Sequence, residues 1–300
     1  MPRVVAVGRF DGVHRGHQFL LVEARRLARG LPVAAYTFPP RGPSLLTLAA
    51  KERLLREHAD EVVVAQWEDV RGLEAEEFVR RELVERLEAR AVVAGPDHRF
   101  GRGRGGDVTA LRRLGGLLGL AVHVVDPLCL EGEAVSAARI RDLIAAGDVT
   151  KAAVLLGRPV WVAGMPVPGA RIGRKLGYPT VNLDLAPELV RPRAGVYAAW
   201  AQWRDGEGKA LFYIGARPTF PALPPSAEIH LLAPPPGEVE GPVEVHLIRF
   251  IRPDIQFAGV ERLVEQISRD RETGGRILGE TAAPARLLPH LELRGPGGAL

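Results

Sequence analysis

Several features are scarce in this 300-residue sequence, and each absence excludes a class of protein. The single cysteine, Cys129, cannot form a disulfide within the chain, so nothing calls for an oxidising compartment. No apolar run approaches the roughly 18 residues of a membrane span. The first residues, MPRVVAVGRFDG, lack the apolar core and cleavage site of a signal peptide. We therefore expect a soluble, cytoplasmic protein with no membrane partner.

Lysine is also scarce, since it occurs only at positions 51, 151, 175 and 209. The net charge of +4 is therefore carried almost entirely by arginine. A basic balance favours anionic partners, either nucleic acid or phosphorylated small molecules. Biased codon usage produces the same arginine excess, so charge alone does not select a partner.

The chain is long enough for two domains, because single hydrophobic cores stop growing at roughly 250–300 residues. In the first half, short Val/Ala runs alternate with helical segments, which is typical of a parallel sheet covered on both faces. Ligands bind beyond the carboxyl ends of such strands. The strands are predicted at 3–8, 32–38, 61–66, 91–95 and 121–126, and the helices at 16–30, 49–58, 74–88 and 107–119.

The pattern changes after about residue 157, where short β-type runs stand between Gly/Pro turns and predict an antiparallel barrel or sandwich. These runs are 160–164, 195–203, 210–216, 227–232 and 243–250. One helix, at about 259–270, closes the domain. We expect one domain over 1–156, a second over 157–279, and a flexible tail over 280–300.

The segment GRFDGVHRGH (8–17) follows the first strand and opens the first helix. Its glycines at 8, 12 and 16 allow close backbone approach to a ligand, and a helix amino terminus attracts phosphate. His14 and His17 can both face the same phosphates. Imidazoles placed there can stabilise charge that develops on an α-phosphate and on departing pyrophosphate.

A second glycine-rich and basic segment, GARIGRKLGYPTVN (169–182), lies in the second half. No GxxxxGK[ST] is present, so a kinase here would not be a P-loop enzyme. Its glycines allow close approach to phosphate, and Arg174 and Lys175 supply charge. Thr180 and Asn182 offer neutral oxygens of the kind that Mg²⁺ accepts.

The first segment resembles the HxGH nucleotidyltransferases. With TFPP (37–40), GPDHRFGRGRGGD (95–107) and VSAARIR (135–141), it is similar to the amino-terminal module of bacterial bifunctional riboflavin kinase/FAD synthetases. The resemblance implies a Rossmann-like domain in which His14, His17 and Arg141 act on ATP phosphates. It also implies nucleotide and flavin contacts from Gly8, Arg9, Phe10, Asp11, Gly12, Gly16, Asp97, Arg99 and Ser136.

The second half resembles the flavokinase barrel through PTVN (179–182), IGARPTF (214–220), AEIHLL (227–232) and VEVHLIRFIRPDIQF (243–257). The resemblance implies that Thr180 and Asn182 hold Mg-ATP, and that Glu228 is the general base. It implies further ATP or flavin contacts from Gly173, Lys175, Pro179 and Arg252. Without the resemblance, Glu228 is equally well an outward-facing strand residue.

The predicted function is phosphorylation of riboflavin to FMN followed by adenylylation to FAD, with riboflavin, FMN, FAD and ATP as ligands, Mg²⁺ as cofactor and no nucleic acid. Four residues depart from the family pattern: Arg9, Arg41, Ala137 and Ala138. The two alanines remove hydroxyl donors, which motivates a riboflavin kinase with a weak or inactive adenylyltransferase domain as the alternative. A basic RNA-binding protein using GRGRGG (101–106) is the remote alternative.

Overall fold

The computed structural model describes residues 1–170, 172–235, 237–279 and 281–288. The chain divides into two compact units, Met1–Ala137 and Ala138–Leu300. The first is a parallel sheet with helices and the second contains a closed antiparallel barrel, so the predicted fold class is confirmed. The functional boundary at 156/157 stays a prediction.

The first unit is built on five parallel strands in the order β3-β2-β1-β4-β5. The strands are β1 (Arg3–Val7), β2 (Val33–Thr37), β3 (Glu61–Val64), β4 (Ala89–Ala94) and β5 (Ala121–Val124). The helices are α1 (Arg15–Ala28), α2 (Leu48–Arg56), α3 (Trp67–Val70), α4 (Ala75–Phe78) and α5 (Val108–Leu117). The central strands β1 and β2 are almost completely buried, which explains their continuous apolar sequence.

Two segments of the first unit differ in detail from expectation. The helix predicted over 74–88 is α4 followed directly by a π-helical stretch, Val79–Arg86. The segment GRGRGG forms a single 3-10 turn, Arg102–Arg104, closed by a bridge between Phe100 and Gly106. A short hairpin, β6 (Cys129–Leu130) and β7 (Glu133–Ala134), precedes the end of the unit.

The second unit begins at the second residue of α6 (Ala137–Ala146). It continues through α7 (Val149–Leu156) into a closed barrel of order β10-β11-β12-β9-β8-β13. The carbonyls of Ile144 and Ala146, at the end of α6, accept hydrogen bonds from Arg193 of the same unit. The remaining elements are β8 (Val160–Val167), α8 (Ile172–Lys175), β9 (Val181–Leu185), β10 (Gly195–Trp203), β11 (Gly206–Gly215), β12 (Ser226–Leu231), β13 (Val243–Pro253) and α9 (Val260–Gly279).

Helix α9 continues nine residues beyond its predicted end at 270. The buried positions of the helix are Asp270, Gly274 and Leu278. At Gly274 a Cβ atom would stand 2.5 Å from Leu211 Cδ2, so the helix approaches the barrel closely there. An aspartate and a glycine at inward-facing positions interrupt the apolar periodicity, which is why the sequence pattern ends too early.

The first part of the predicted tail packs on the barrel. Leu287 and Leu288 are buried, and their backbone N–H groups donate to the Glu244 carboxylate at 2.9 and 2.8 Å. Burial alone would raise the pKa of Glu244, but the His246 ring 3.6 Å away and hydrogen bonds from Leu287, Leu288 and Trp161 together lower it. The expectation of a flexible tail therefore does not describe residues 281–288, because this segment satisfies a buried carboxylate. The rest of that prediction, at 280 and 289–300, lies outside the described residues.

This packing predicts that a chain truncated after Gly279 is less stable than a chain truncated after Leu288. Burying a leucine contributes about 1.5–3 kcal/mol, partly offset by the entropy of ordering the segment. We expect the shorter chain to lose about 2–4 kcal/mol in free energy of unfolding, measured by urea denaturation. Equal stability of the two truncated chains would contradict the packing.

Two candidate active sites

The loop after β1 is shaped by unusual backbone conformations. Phe10 has φ 49° and Gly12 has φ 79°, both in the left-handed region, and a 3-10 turn (Asp11–Val13) lies between Phe10 and His14. The Asp11 carboxylate accepts a hydrogen bond from Leu45 N at 2.8 Å. Phe10 is fully buried, so the bend is anchored in the core. The loop thus leads from the carboxyl end of β1 directly into the amino terminus of α1.

The structure brings His14 and His17 together at the start of α1. Their rings stack with centroids 3.6 Å apart and an interplanar angle of 19°. His14 caps the helix, because its Nδ1 accepts from His17 N at 3.4 Å. Phe10 packs edge-on against His17 at 5.2 Å. Two imidazoles beside a helix amino terminus form an arrangement suited to a phosphate group.

The other residues predicted for the first site lie in several places. Arg9, Asp97 and Arg99 are exposed, and Ser136 is half-buried just before α6. Arg99 pairs with Asp107 at 3.4 Å. Arg141 lies on α6, within the second unit, and its grouping with the histidines stays a prediction.

The second unit contains a cavity of about 170 Å³, at one side of the barrel beside α8 and α9. Five of the predicted residues line it: Gly173, Thr180, Asn182, Glu228 and Arg252. Lys175 and Pro179 are exposed. Asn182 and Glu228 face each other across the β9–β12 ladder, which explains why motifs 46 positions apart share one site.

Glu228 is held by hydrogen bonds that all end on one carboxylate oxygen. Its Oε1 accepts from Arg217 Nε at 3.0 Å, from Arg217 Nη2 at 2.5 Å and from Ser226 Oγ at 2.8 Å. Arg217 Nη2 also donates to Asn182 Oδ1 at 2.9 Å. The Arg217 and Glu228 side chains are only 13% and 16% exposed. A charged, shielded network therefore connects the predicted base to a predicted metal ligand.

Arg217 is itself positioned by its neighbours. It has φ 54°, and its backbone N–H donates to the Tyr213 hydroxyl at 2.8 Å. The Tyr213 hydroxyl donates to Asp254 Oδ1 at 3.1 Å, and Asp254 Oδ2 accepts from Ala216 N at 3.0 Å. Burial is the main cause that raises the pKa of Tyr213, so its hydroxyl stays a donor.

Arg252 and His230 connect the cavity to α9. Arg252 Nε donates to both oxygens of Asp270, at 3.1 and 2.9 Å, and its guanidinium lies 5.5 Å from the Phe257 ring centroid. His230 Nδ1 lies 2.8 Å from Pro179 O, and its Nε2 lies 2.5 Å from Arg271 Nη1. Burial, with Arg271, lowers the pKa of His230, so the imidazole is neutral: Nδ1–H donates and Nε2 accepts.

Sequence reasoning did not single out Arg217, Tyr213, Asp254, His230 or Asp270. A signal existed for Arg217, His230 and Asp254, because they lie inside IGARPTF, AEIHLL and VEVHLIRFIRPDIQF. Tyr213 and Asp270 carried no such signal, since both lie outside these motifs.

Among the residues that the structure describes, no helix is both long enough and apolar enough to cross a membrane. Within the same residues, no group of three or more His, Cys, Asp and Glu side chains could hold a metal ion.

Both halves of the chain match families of known proteins. A FAD synthetase family model matches residues 1–139, and a riboflavin kinase family model matches residues 156–278. The Escherichia coli (strain K12) bifunctional riboflavin kinase/FMN adenylyltransferase is 33% identical over 296 residues, covering 93% of this chain and 93% of its own length. The Bacillus subtilis (strain 168) protein of the same name is 30% identical over 288 residues, covering 90% of each.

A crystal structure from Streptococcus pneumoniae, described as a macrolide-efflux protein, is similar across both units. It has a TM-score of 0.80 and 31% identity, and the match covers 91% of this chain and 93% of that one. The matches define a nucleotidyltransferase module followed by a flavokinase barrel. The chain belongs to the bifunctional riboflavin kinase/FMN adenylyltransferase family.

Proposed function

We propose that this chain phosphorylates riboflavin with ATP to give FMN and ADP, and then transfers AMP from a second ATP to FMN, giving FAD and pyrophosphate. The observation that carries the proposal is that the two motif sets occupy separate structured sites, the histidine pair in one unit and the Glu228 cavity in the other. Family membership supports both halves. The cytoplasm is the expected location, since both steps consume ATP.

In the kinase step, the ribityl 5′-hydroxyl attacks the γ-phosphorus, its proton passes to Glu228, and ADP leaves. Phosphoryl transfer depends chiefly on positioning and charge neutralisation, and a carboxylate orients the attacking hydroxyl. The three hydrogen bonds on Oε1 of Glu228 support this role, because they fix the carboxylate while Oε2 can face the hydroxyl.

The cavity suits a magnesium ion carried by ATP. Thr180 and Asn182 present neutral oxygens at the cavity wall, and Mg²⁺ binds through a few protein oxygens plus water and phosphate. Asn182 Oδ1 accepts from Arg217 in this structure, so Arg217 would have to release it for metal coordination. The ion would neutralise phosphate charge in the transition state.

In the adenylyl step, an FMN phosphate oxygen attacks the α-phosphorus of ATP, and the bond to pyrophosphate breaks. His14 and His17 would donate hydrogen bonds to the charge that develops on these oxygens. The helix dipole of α1 adds to this stabilisation at the same end.

The test is incubation of the full chain with riboflavin and Mg-ATP, with FMN and FAD separated by chromatography. Both products are expected. FMN alone would favour a riboflavin kinase with an inactive first domain, and neither product would contradict the whole proposal. RNA binding that is tight and falls steeply with salt would favour the remote alternative.

Replacing Glu228 with glutamine should disable only the kinase step. Glutamine keeps the side-chain shape and an oxygen that accepts from Arg217, but cannot take the proton. We expect riboflavin phosphorylation to fall about 10²–10⁴-fold. FAD formation from supplied FMN is the internal control and should be unchanged. Unaltered kinase turnover would reassign Glu228 to a structural role on β12.

Replacing His14 with alanine should disable only the adenylyl step and leave the kinase step intact. Loss of one donor to developing charge lowers a rate by about 10²–10³-fold, so adenylylation of FMN should fall by that amount. Riboflavin phosphorylation should persist, measured in the same preparation. Equal loss of both activities would indicate misfolding or coupled sites instead.

Ala137 and Ala138 lead to a third expectation, that arginines replace the missing hydroxyls. Arg9 is exposed in the loop between β1 and α1 (residues 8–14, the phosphate loop), and guanidinium groups bind phosphate well. Restoring the hydroxyls (Ala137→Ser with Ala138→Thr) should improve adenylylation less than about tenfold, below one full charged hydrogen bond. Arg9→Asn should reduce it. A wild-type chain that makes no FAD until the hydroxyls are restored would refute this compensation.

A further inference from the structure

Lys51 is a buried charged residue behind the phosphate loop of the first unit. It lies on α2 and is only 3% exposed. Its Nζ donates to Arg9 O at 3.3 Å, to Thr37 Oγ1 at 3.2 Å and, over a short distance, to Phe38 O. The Thr37 hydroxyl in turn donates to Arg9 O at 3.0 Å. One ammonium therefore ties together the chain segments that leave β1 and β2.

One acceptor of Lys51, the Arg9 carbonyl, directly precedes the turn that leads to His14. Arg9 is followed by Phe10, whose left-handed conformation starts the turn that leads to His14. The backbone around Arg9 therefore sets where the turn begins, and the turn sets where the stacked histidines stand. At 3% exposure, Lys51 is too deeply buried to contact a nucleotide itself.

The buried surroundings of Lys51 disfavour its positive charge. Burial is the main cause that lowers the pKa of Lys51 to about 8; Arg9 adds to this shift, and Asp11 and Glu52 oppose it. In the unfolded chain, the Lys51 amine has its ordinary pKa of 10.5. Between about pH 8 and 10.5 the unfolded chain therefore binds more protons than the folded chain, and the free energy of unfolding increases as pH rises. Below about pH 8 the buried charge opposes folding. A residue that opposes folding at neutral pH is more easily explained by function than by stability.

We propose that Lys51 is a positioning residue for adenylyl transfer, which holds the β1 and β2 ends together so that the phosphate loop presents His14 and His17 to ATP. The inference rests on the proposed adenylyltransferase function. The charged Lys51 amine has three hydrogens, one for each of its three acceptors, whereas the neutral amine has only two. Deprotonation of Lys51 therefore removes one of these hydrogen bonds.

The test is Lys51→Met in the full chain, with FAD formation from FMN and FMN formation from riboflavin measured side by side. A misplacement of about 1 Å in a catalytic group costs about 10²-fold, so kcat for FAD formation should fall about 10–100-fold. FMN formation should be unchanged. In the wild type, the ratio of FAD to FMN formation should fall as pH rises through about 8, and Lys51→Met should lack that pH dependence.

Two further variants separate positioning from folding. Thr37→Val removes one acceptor without altering the charge, and should lower FAD formation less than Lys51→Met does. Lys151→Met, at an exposed lysine paired with Asp148, should leave both activities unchanged. If Lys51→Met does not fold, Thr37→Val alone must lower kcat at preserved thermal stability.

The possible outcomes are distinct. Wild-type chain that forms no FAD contradicts the proposed function, and this inference with it. Folded Lys51→Met with FAD formation within about twofold of wild type, a smaller change than the loss of one hydrogen bond produces, overturns the inference alone. Loss of activity in proportion to unfolded protein, without a change in pH profile, also overturns it.

Discussion

Backbone groups that lie beyond the ends of the strands must find partners when they are buried, and this constraint shapes both sites. Side chains supply those partners. Lys51 satisfies the carbonyls of Arg9 and Phe38, and His230 that of Pro179. The Tyr213 hydroxyl accepts from the backbone N–H of Arg217. The Glu244 carboxylate accepts from the backbone N–H groups of Leu287 and Leu288. The same contacts that complete the fold also fix the loops that carry the functional residues.

Much of the fold could be predicted from sequence, because burial on both faces of a parallel sheet produces continuous Val/Ala runs. The six barrel strands are harder to predict: β9 begins at Val181, inside the PTVN motif, and is only five residues long, so the sequence pattern does not reveal it. The second half of α9 was missed because Asp270 and Gly274 face inward. In each case, tertiary contacts overrode the local pattern.

The site could be predicted where motifs contain it, and not where contacts alone define it. His14 and His17 are close in sequence, so one helical turn brings them together. Glu228, Asn182 and Arg217 meet only because β9 and β12 pair and the loop after β11 turns back over them. Composition and spacing contain no information on such pairings. The family resemblance supplied two of these three residues, and geometry supplied Arg217.

Strand order also determines which strand edges are open to pairing with another chain. The barrel is closed, so each of its six strands is hydrogen-bonded on both sides and none can template an intermolecular sheet. The open sheet of the first unit does have edges, β3 and β5, but each is only four residues long. Short edges offer few unpaired backbone groups. Aggregation of a partly unfolded chain is therefore expected to start where the longer inner strands β1, β2 and β4 become exposed.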